Sequence, residues 1–135
     1  MANYRCERIF VMLDRPIPGL DHLKAVDPVE LAWHQSNVDA ESIGLTPIED
    51  FCVAAFDGPP PFREKPRWRP AAAGLKTVRG LVALYEKRIA DGTDPRGRTA
   101  ETLGKTIMVL RQLEAVLDQA DARDIRFYLA VKDLP

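Results

Sequence analysis

Two amphipathic helices joined by a short loop constrain this chain more than any other feature of its sequence. Between residues 71 and 90, apolar residues recur every three or four positions, the spacing of one helical face. A second apolar stripe of the same spacing predicts a helix over residues 99–122. Glycine and proline interrupt the pattern between them, within residues 91–98. We therefore expect an antiparallel helical hairpin in the C-terminal half.

Strand patterns lie near both ends of the chain. Residues 4–13 contain a continuous apolar run, typical of a strand covered on both faces, and residues 125–131 alternate between apolar and polar side chains. Residues 51–56 fit either a third short strand or a buried turn. We predict an α+β fold in which the terminal strands lie side by side, with a possible third strand, and about three helices cover the small sheet.

The third helix is predicted from Asp27-Pro28, a favourable helix start, to Ile43, just before Gly44. At helical spacing, its polar residues would share one face. Two of them, Glu30 and His34, are four residues apart and could bind a metal ion or transfer a proton. A solvated helix face has the same pattern, and a metal site needs three or four ligands. We favour the solvated face and predict neither a metal nor a cofactor.

Length and composition are those of one folded domain spanning residues 1–135. The chain has 135 residues, of which 46% are hydrophobic and 29% charged. Two distant cysteines, Cys6 and Cys52, form no CxxC motif, so we expect reduced thiols and a cytoplasmic protein. No stretch approaches the roughly 18 apolar residues of a membrane span, which predicts no membrane association.

Charge is distributed unevenly around an overall net charge of −1. Residues 1–62 carry 4 basic and 10 acidic side chains, and residues 63–135 carry 15 and 10, so the two parts have net charges of −6 and +5. This asymmetry could mark a charged binding face, but we favour the interpretation that the two parts pack together and neutralise each other. The predicted helix over residues 71–90 would also carry a basic face formed by Lys76, Arg79 and Lys87 and flanked by Arg88.

The most distinctive stretch is a proline-rich surface segment, residues 57–70. It contains five candidate partner-binding residues: Arg63, Lys65, Arg67, Trp68 and Arg69. Arginine and tryptophan dominate binding hot spots, and arginine pairs with carboxylates in a bidentate manner. An acidic protein, or one with a groove that recognises proline, would suit the segment. A structural strap that packs Phe62 and Trp68 against the core edge has the same composition.

Motifs of nucleotide binding and hydrolysis are absent from the sequence. It contains no GxGxxG, GxxxxGK[ST], HExxH or GxSxG motif and only two histidines, and no catalytic residue is predicted. These features favour a non-enzymatic protein-binding or regulatory module, such as an adaptor, an inhibitor or an immunity-type protein. One alternative is a small enzyme or ligand-binding domain using Glu30 and His34. A weaker alternative is single-stranded nucleic-acid binding through the proline-rich segment, whose few cations make nucleic acid an unfavourable partner.

Overall fold

Strands at both ends enclose the helices in a computed structural model that describes residues 6–18, 31–53 and 67–133. The elements are, in order, strand β1 (Cys6–Leu13), helix α1 (Trp33–Ser42), a 3-10 turn (Ile48–Phe51), strand β2 (Cys52–Val53), strand β3 (Arg69–Pro70), helix α2 (Ala71–Asp91), helix α3 (Ala100–Ala122) and strand β4 (Arg126–Asp133). This order confirms the predicted α+β class.

Strand β4 organises the sheet because the other described strands all pair with it. Strand β1 runs antiparallel to β4, with Val11 opposite Leu129. On the other edge of β4, β2 pairs in parallel and β3 pairs antiparallel. The terminal strands therefore lie side by side as predicted. Strand β2 confirms a third short strand within residues 51–56, of which residues 54–56 lie outside the described chain.

Helices α2 and α3 form the predicted hairpin and pack against the sheet. The expected apolar stripes are buried, and their most deeply buried members, each 0% exposed, are Leu81, Tyr85, Leu110 and Leu117. Helix α3 begins where predicted, because the Thr99 side chain accepts a hydrogen bond from the Thr102 backbone N–H. Neither long helix of the described chain is apolar enough to cross a membrane.

A glycine sets the distance between α2 and the sheet. Gly74 is buried in the first half of α2, and a Cβ added there would lie 2.5 Å from Cζ of Phe127 on β4. Because glycine has no side chain, the helix backbone can approach the Phe127 ring at this point. The hairpin is thereby seated directly on β4.

The opposite face of the sheet is also apolar. Val53, Tyr128 and Ala130 are buried there, and Phe10 and Met12 of β1 pack against them. Ile9 and Val11 of β1 belong instead to the core under the helices. Alternate residues of β1 thus contribute to two apolar layers, as its continuous apolar run predicted.

The helix predicted over residues 27–43 is not continuous through residues 31 and 32. Helix α1 begins at Trp33, and Ala32 before it has a left-handed backbone conformation with φ of 54°. Leu31 is only 1% exposed and belongs to the core. The helix signal at Asp27-Pro28 lies outside the described residues.

Candidate functional site

Trp68 lies immediately before β3, beside the apolar sheet face that does not carry the helices. Its ring meets the Tyr128 ring nearly edge-on, with a centroid distance of 4.9 Å and an interplanar angle of 66°. The Trp68 side chain is nevertheless 36% exposed. Tyr128 is buried, and this burial raises the pKa of its hydroxyl group. One edge of the indole is therefore held against Tyr128, while the rest of the ring is accessible to a partner.

Arginines on both sides of Trp68 are anchored to main-chain carbonyls. Arg67 Nη2 donates to the carbonyl oxygen of Cys52 at 3.0 Å, and Arg69 Nη1 donates to that of Asp50 at 3.5 Å. The Arg69 guanidinium also lies over the Phe51 ring, 4.9 Å from its centroid. These contacts fix both arginines against the segment that leads into β2.

The charge of Arg69 has no carboxylate partner within the described chain. Its polar contact is to a carbonyl oxygen, and its second contact is to an aromatic ring. Neither contact carries a negative charge, so no described carboxylate compensates the guanidinium charge. An incoming carboxylate could therefore pair with Arg69 without breaking an ion pair to any described residue.

Strand β3 holds this surface in place. Arg69 pairs with Phe127 of β4, and Pro70 pairs with Arg126 before α2 begins. Proline is tolerated there because β3 lies at the edge of the sheet. The other two predicted contact residues, Arg63 and Lys65, lie outside the described residues.

A buried ionic cluster joins α1 to the α2–α3 loop, and the sequence patterns do not predict it. We define the ionic cluster as Asp39, Tyr85, Arg88, Asp94 and Arg98. Asp39 Oδ2 accepts hydrogen bonds from the Tyr85 hydroxyl at 2.7 Å and from Arg98 Nη2 at 3.0 Å. Asp94 accepts from the Arg98 side chain at 3.0 Å, and Arg88 Nη1 lies 3.3 Å from Asp94 Oδ1. The carboxylates of both aspartates are nearly inaccessible to solvent.

The two aspartates and the tyrosine of the ionic cluster have pKa values shifted further from neutral pH. Hydrogen bonds from Arg98 lower the pKa of Asp94 to about 2. Burial opposes ionisation of Asp39, but hydrogen bonds from Tyr85 and Arg98 outweigh it and lower the pKa of that carboxyl. Burial is the main reason why the pKa of Tyr85 is raised to about 12. The cluster is thus suited to holding the loop and unsuited to proton transfer at neutral pH.

Charge pairing across the chain supports the expected neutralisation of its two parts. Asp39 belongs to the acidic N-terminal part, whereas Arg88 and Arg98 belong to the basic part. Asp14 likewise accepts a hydrogen bond from the Arg126 side chain at 3.4 Å. The one sequence signal for the ionic cluster is the concentration of charge in the loop, within residues 94–98.

The expected basic face of α2 does not form a continuous positive surface. Arg79 pairs with Glu114 and Asp118 of α3 at 3.0 and 2.9 Å. Arg88 directs Nη1 into the ionic cluster, so its charge pairs with Asp39 and Asp94 and does not extend a basic face. Lys76 and Lys87 are exposed.

The polar face expected on the first helix is only partly described. Glu30 lies outside the described residues, and α1 begins at Trp33, one residue before His34. His34 and Glu41 are exposed, but Asn37 is buried and its Oδ1 accepts from the Glu49 backbone N–H at 3.0 Å. Among the residues that the structure describes, no group of three or more His, Cys, Asp or Glu could hold a metal ion.

Comparison with known proteins does not assign a family or an activity. The chain matches no protein-family model, no curated protein and no solved structure at a significant level. The functional interpretation therefore depends on the chemistry of the residues described above.

Proposed function

We propose that this protein is a non-enzymatic module that binds another protein through Arg67, Trp68 and Arg69, here called the tryptophan surface. The observation that carries the proposal is the partly exposed Trp68 indole, which is oriented by Tyr128 and flanked by two anchored arginines. Tryptophan and arginine are the residue types most often found at energetic hot spots of interfaces. Arg63 and Lys65 precede this surface in the sequence and would add positive charge.

The partner should present carboxylates next to an apolar or proline-rich contact. Arg69 supplies a guanidinium that no carboxylate of the described residues pairs with. Because Trp68 and Arg69 are already held in place, binding would cost little additional side-chain entropy. An acidic protein surface with a pocket for one indole ring meets these requirements.

The protonation states of the ionic cluster support a non-enzymatic function. Its carboxylates remain ionised and its tyrosine remains neutral well beyond both sides of neutral pH. General acid–base catalysis works best when a group titrates close to the operating pH. The most polar interior region of the described chain therefore favours a structural role over a catalytic one.

The proposal is tested by affinity capture from the source cell with the full chain as bait. We expect a protein that is retained by the wild type and by Met108→Ala but lost with Trp68→Ala and weakened with Arg69→Gln. Met108 is the matched control because it is an exposed apolar side chain, 65% accessible, on α3. Loss of a hot-spot residue reduces affinity by about 30-fold or more.

Thermal melts of each variant show whether the fold is retained, since Trp68 also packs against Tyr128. Equal recovery of every captured protein by all four baits contradicts the proposal. Recovery of nucleic acid in place of protein, with affinity that falls steeply as salt is added, would instead identify a nucleic-acid-binding surface.

A further inference from the structure

A groove of about 660 Å³ opens beside the ionic cluster, where the last turn of α2 meets the α2–α3 loop. Its charged and hydroxyl-bearing lining residues are Lys87, Arg88, Asp91, Thr93, Asp94 and Arg98. Three of these are cations and two are carboxylates, so the lining has a net positive charge. None of its lining residues belongs to the tryptophan surface, so ligand binding here is independent of the proposed function.

The acceptor capacity of the inner carboxylate is already used. Oδ1 of Asp94 accepts from Arg88 Nη1 at 3.3 Å and from Arg98 Nη2 at 3.0 Å. Its Oδ2 accepts from the backbone N–H of Arg98 at 2.8 Å and from the side-chain Nε at 3.0 Å. Four donors therefore saturate both oxygens, and Asp94 does not offer an acceptor to a ligand in the groove.

Donors in the groove, in contrast, remain available. Arg88 uses Nη1 in the ionic cluster, while its Nε and Nη2 have no hydrogen-bond partner within the described chain. Among the described residues, Asn37 Nδ2 is the one fully buried side-chain nitrogen or oxygen that lacks a hydrogen-bond partner. The Nε and Nη2 atoms of Arg88 also lack a partner among these residues, so they must be accessible to solvent. Lys87 is exposed without an ion pair there, and the Thr93 hydroxyl is likewise not engaged.

We propose that this groove binds a phosphate group, carried by a phosphate monoester or present as the inorganic ion. Nε and Nη2 of a guanidinium form a planar fork that matches two oxygens of an oxyanion. Lys87 and Thr93 supply further donors from the same groove. A phosphate presents more oxygens and more negative charge than a carboxylate, so it can contact all three side chains at once and suits the positively charged lining better.

The glycine spacing of the loop does not make it a nucleotide-binding P-loop. Gly92 and Gly97 are followed by Arg98-Thr99 at the start of a helix, but a helix precedes them where a P-loop follows a strand. Arg98 is committed to Asp39 and Asp94, and Thr99 caps α3. The proposed phosphate contact is therefore Arg88, at the side of the loop.

Calorimetric titration of the full chain with inorganic phosphate, at constant ionic strength and near neutral pH, tests the site. We expect saturable binding that weakens by about 10-fold or more in Arg88→Lys, which retains the charge but loses the fork. Lys87→Gln should weaken it by about two- to fivefold, as removal of an exposed charge does. The matched control is Lys76→Gln on the same helix, which should bind like the wild type.

Lys87→Gln and Thr93→Val keep the test decisive if Arg88→Lys unfolds, since neither residue belongs to the ionic cluster. Absence of saturable phosphate binding overturns the proposal. It is also overturned if Lys76→Gln weakens binding as much as Lys87→Gln, because the effect would then be nonspecific screening. Equal binding of acetate under the same conditions would show that the groove does not select phosphate.

Discussion

Replacing Asp39 with asparagine tests whether the ionic cluster holds the hairpin loop against α1. The substitution preserves the size of the side chain but removes the charge that faces Arg98 Nη2 at 3.0 Å. The two side chains are only 4% and 6% exposed, so water cannot replace the lost interaction. Arg98 would be left with Asp94 as its remaining charged partner.

The expected loss can be worked out from this geometry. At 3 Å and an effective dielectric constant of about 20, the attraction between unit charges is about 5 kcal/mol. Removing one partner of a buried ion pair costs about 3–5 kcal/mol. Because Asp94 still bonds Arg98 and the new amide oxygen can still accept from Tyr85, we expect the lower value, about 3 kcal/mol. This is a large share of the roughly 5–15 kcal/mol by which a domain is stable.

Urea denaturation followed by circular dichroism measures this loss as a lower transition midpoint with an unchanged slope. The matched control is Asp118→Asn, which removes a carboxylate that bonds Arg79 at 2.9 Å but is 64% exposed. An exposed pair contributes about 1 kcal/mol or less, so the control should change little. If both variants lose the same stability, the ionic cluster does not fix the loop and the reasoning is refuted.

Further predictions concern helix packing and titration. Gly104→Ala should raise the free energy of unfolding by about 0.5–1 kcal/mol, since nothing lies near the new methyl group. Gly74→Ala should lower it, because the new methyl group would collide with the Phe127 ring. Urea denaturation compares the two variants, and a more stable Gly74→Ala variant would contradict the close approach of helix and ring. The pKa of Tyr85 lies near 12, above its ordinary value of 10.0, so stability present below pH 10 should be lost as pH rises through 12; absorbance titration should show a late tyrosinate step that Tyr85→Phe removes. The pKa of Asp94, about 2 in the folded protein against an ordinary 3.8, predicts stability that is complete above pH 4 and lost as pH falls towards 2; Asp94→Asn should flatten this part of a stability–pH profile, and an unchanged slope would count against the Arg98 hydrogen bonds.

The sequence alone determined the elements that depend on short-range periodicity. The stripes of α2 and α3, the cap at Thr99 and the alternation in β4 are all visible over a few turns or residues. Each buries apolar side chains whose spacing allows one regular conformation, so local pattern and tertiary packing agree. The pairing of the terminal strands could also be predicted, because both strands have an apolar face that must be buried against the hairpin in one small sheet.

Only the tertiary structure decided the start of α1, the ionic cluster and the exposure of Trp68. Ala32 has a left-handed backbone conformation next to Leu31, whose side chain is buried in a core made by distant residues. The ionic cluster joins Asp39 to Arg98, which is 59 positions away, and no local pattern signals such a contact. Trp68 is only partly exposed because Tyr128 of the last strand packs beside it. Long-range contacts of this kind depend on how the chain folds back in space, which periodicity along the chain does not encode.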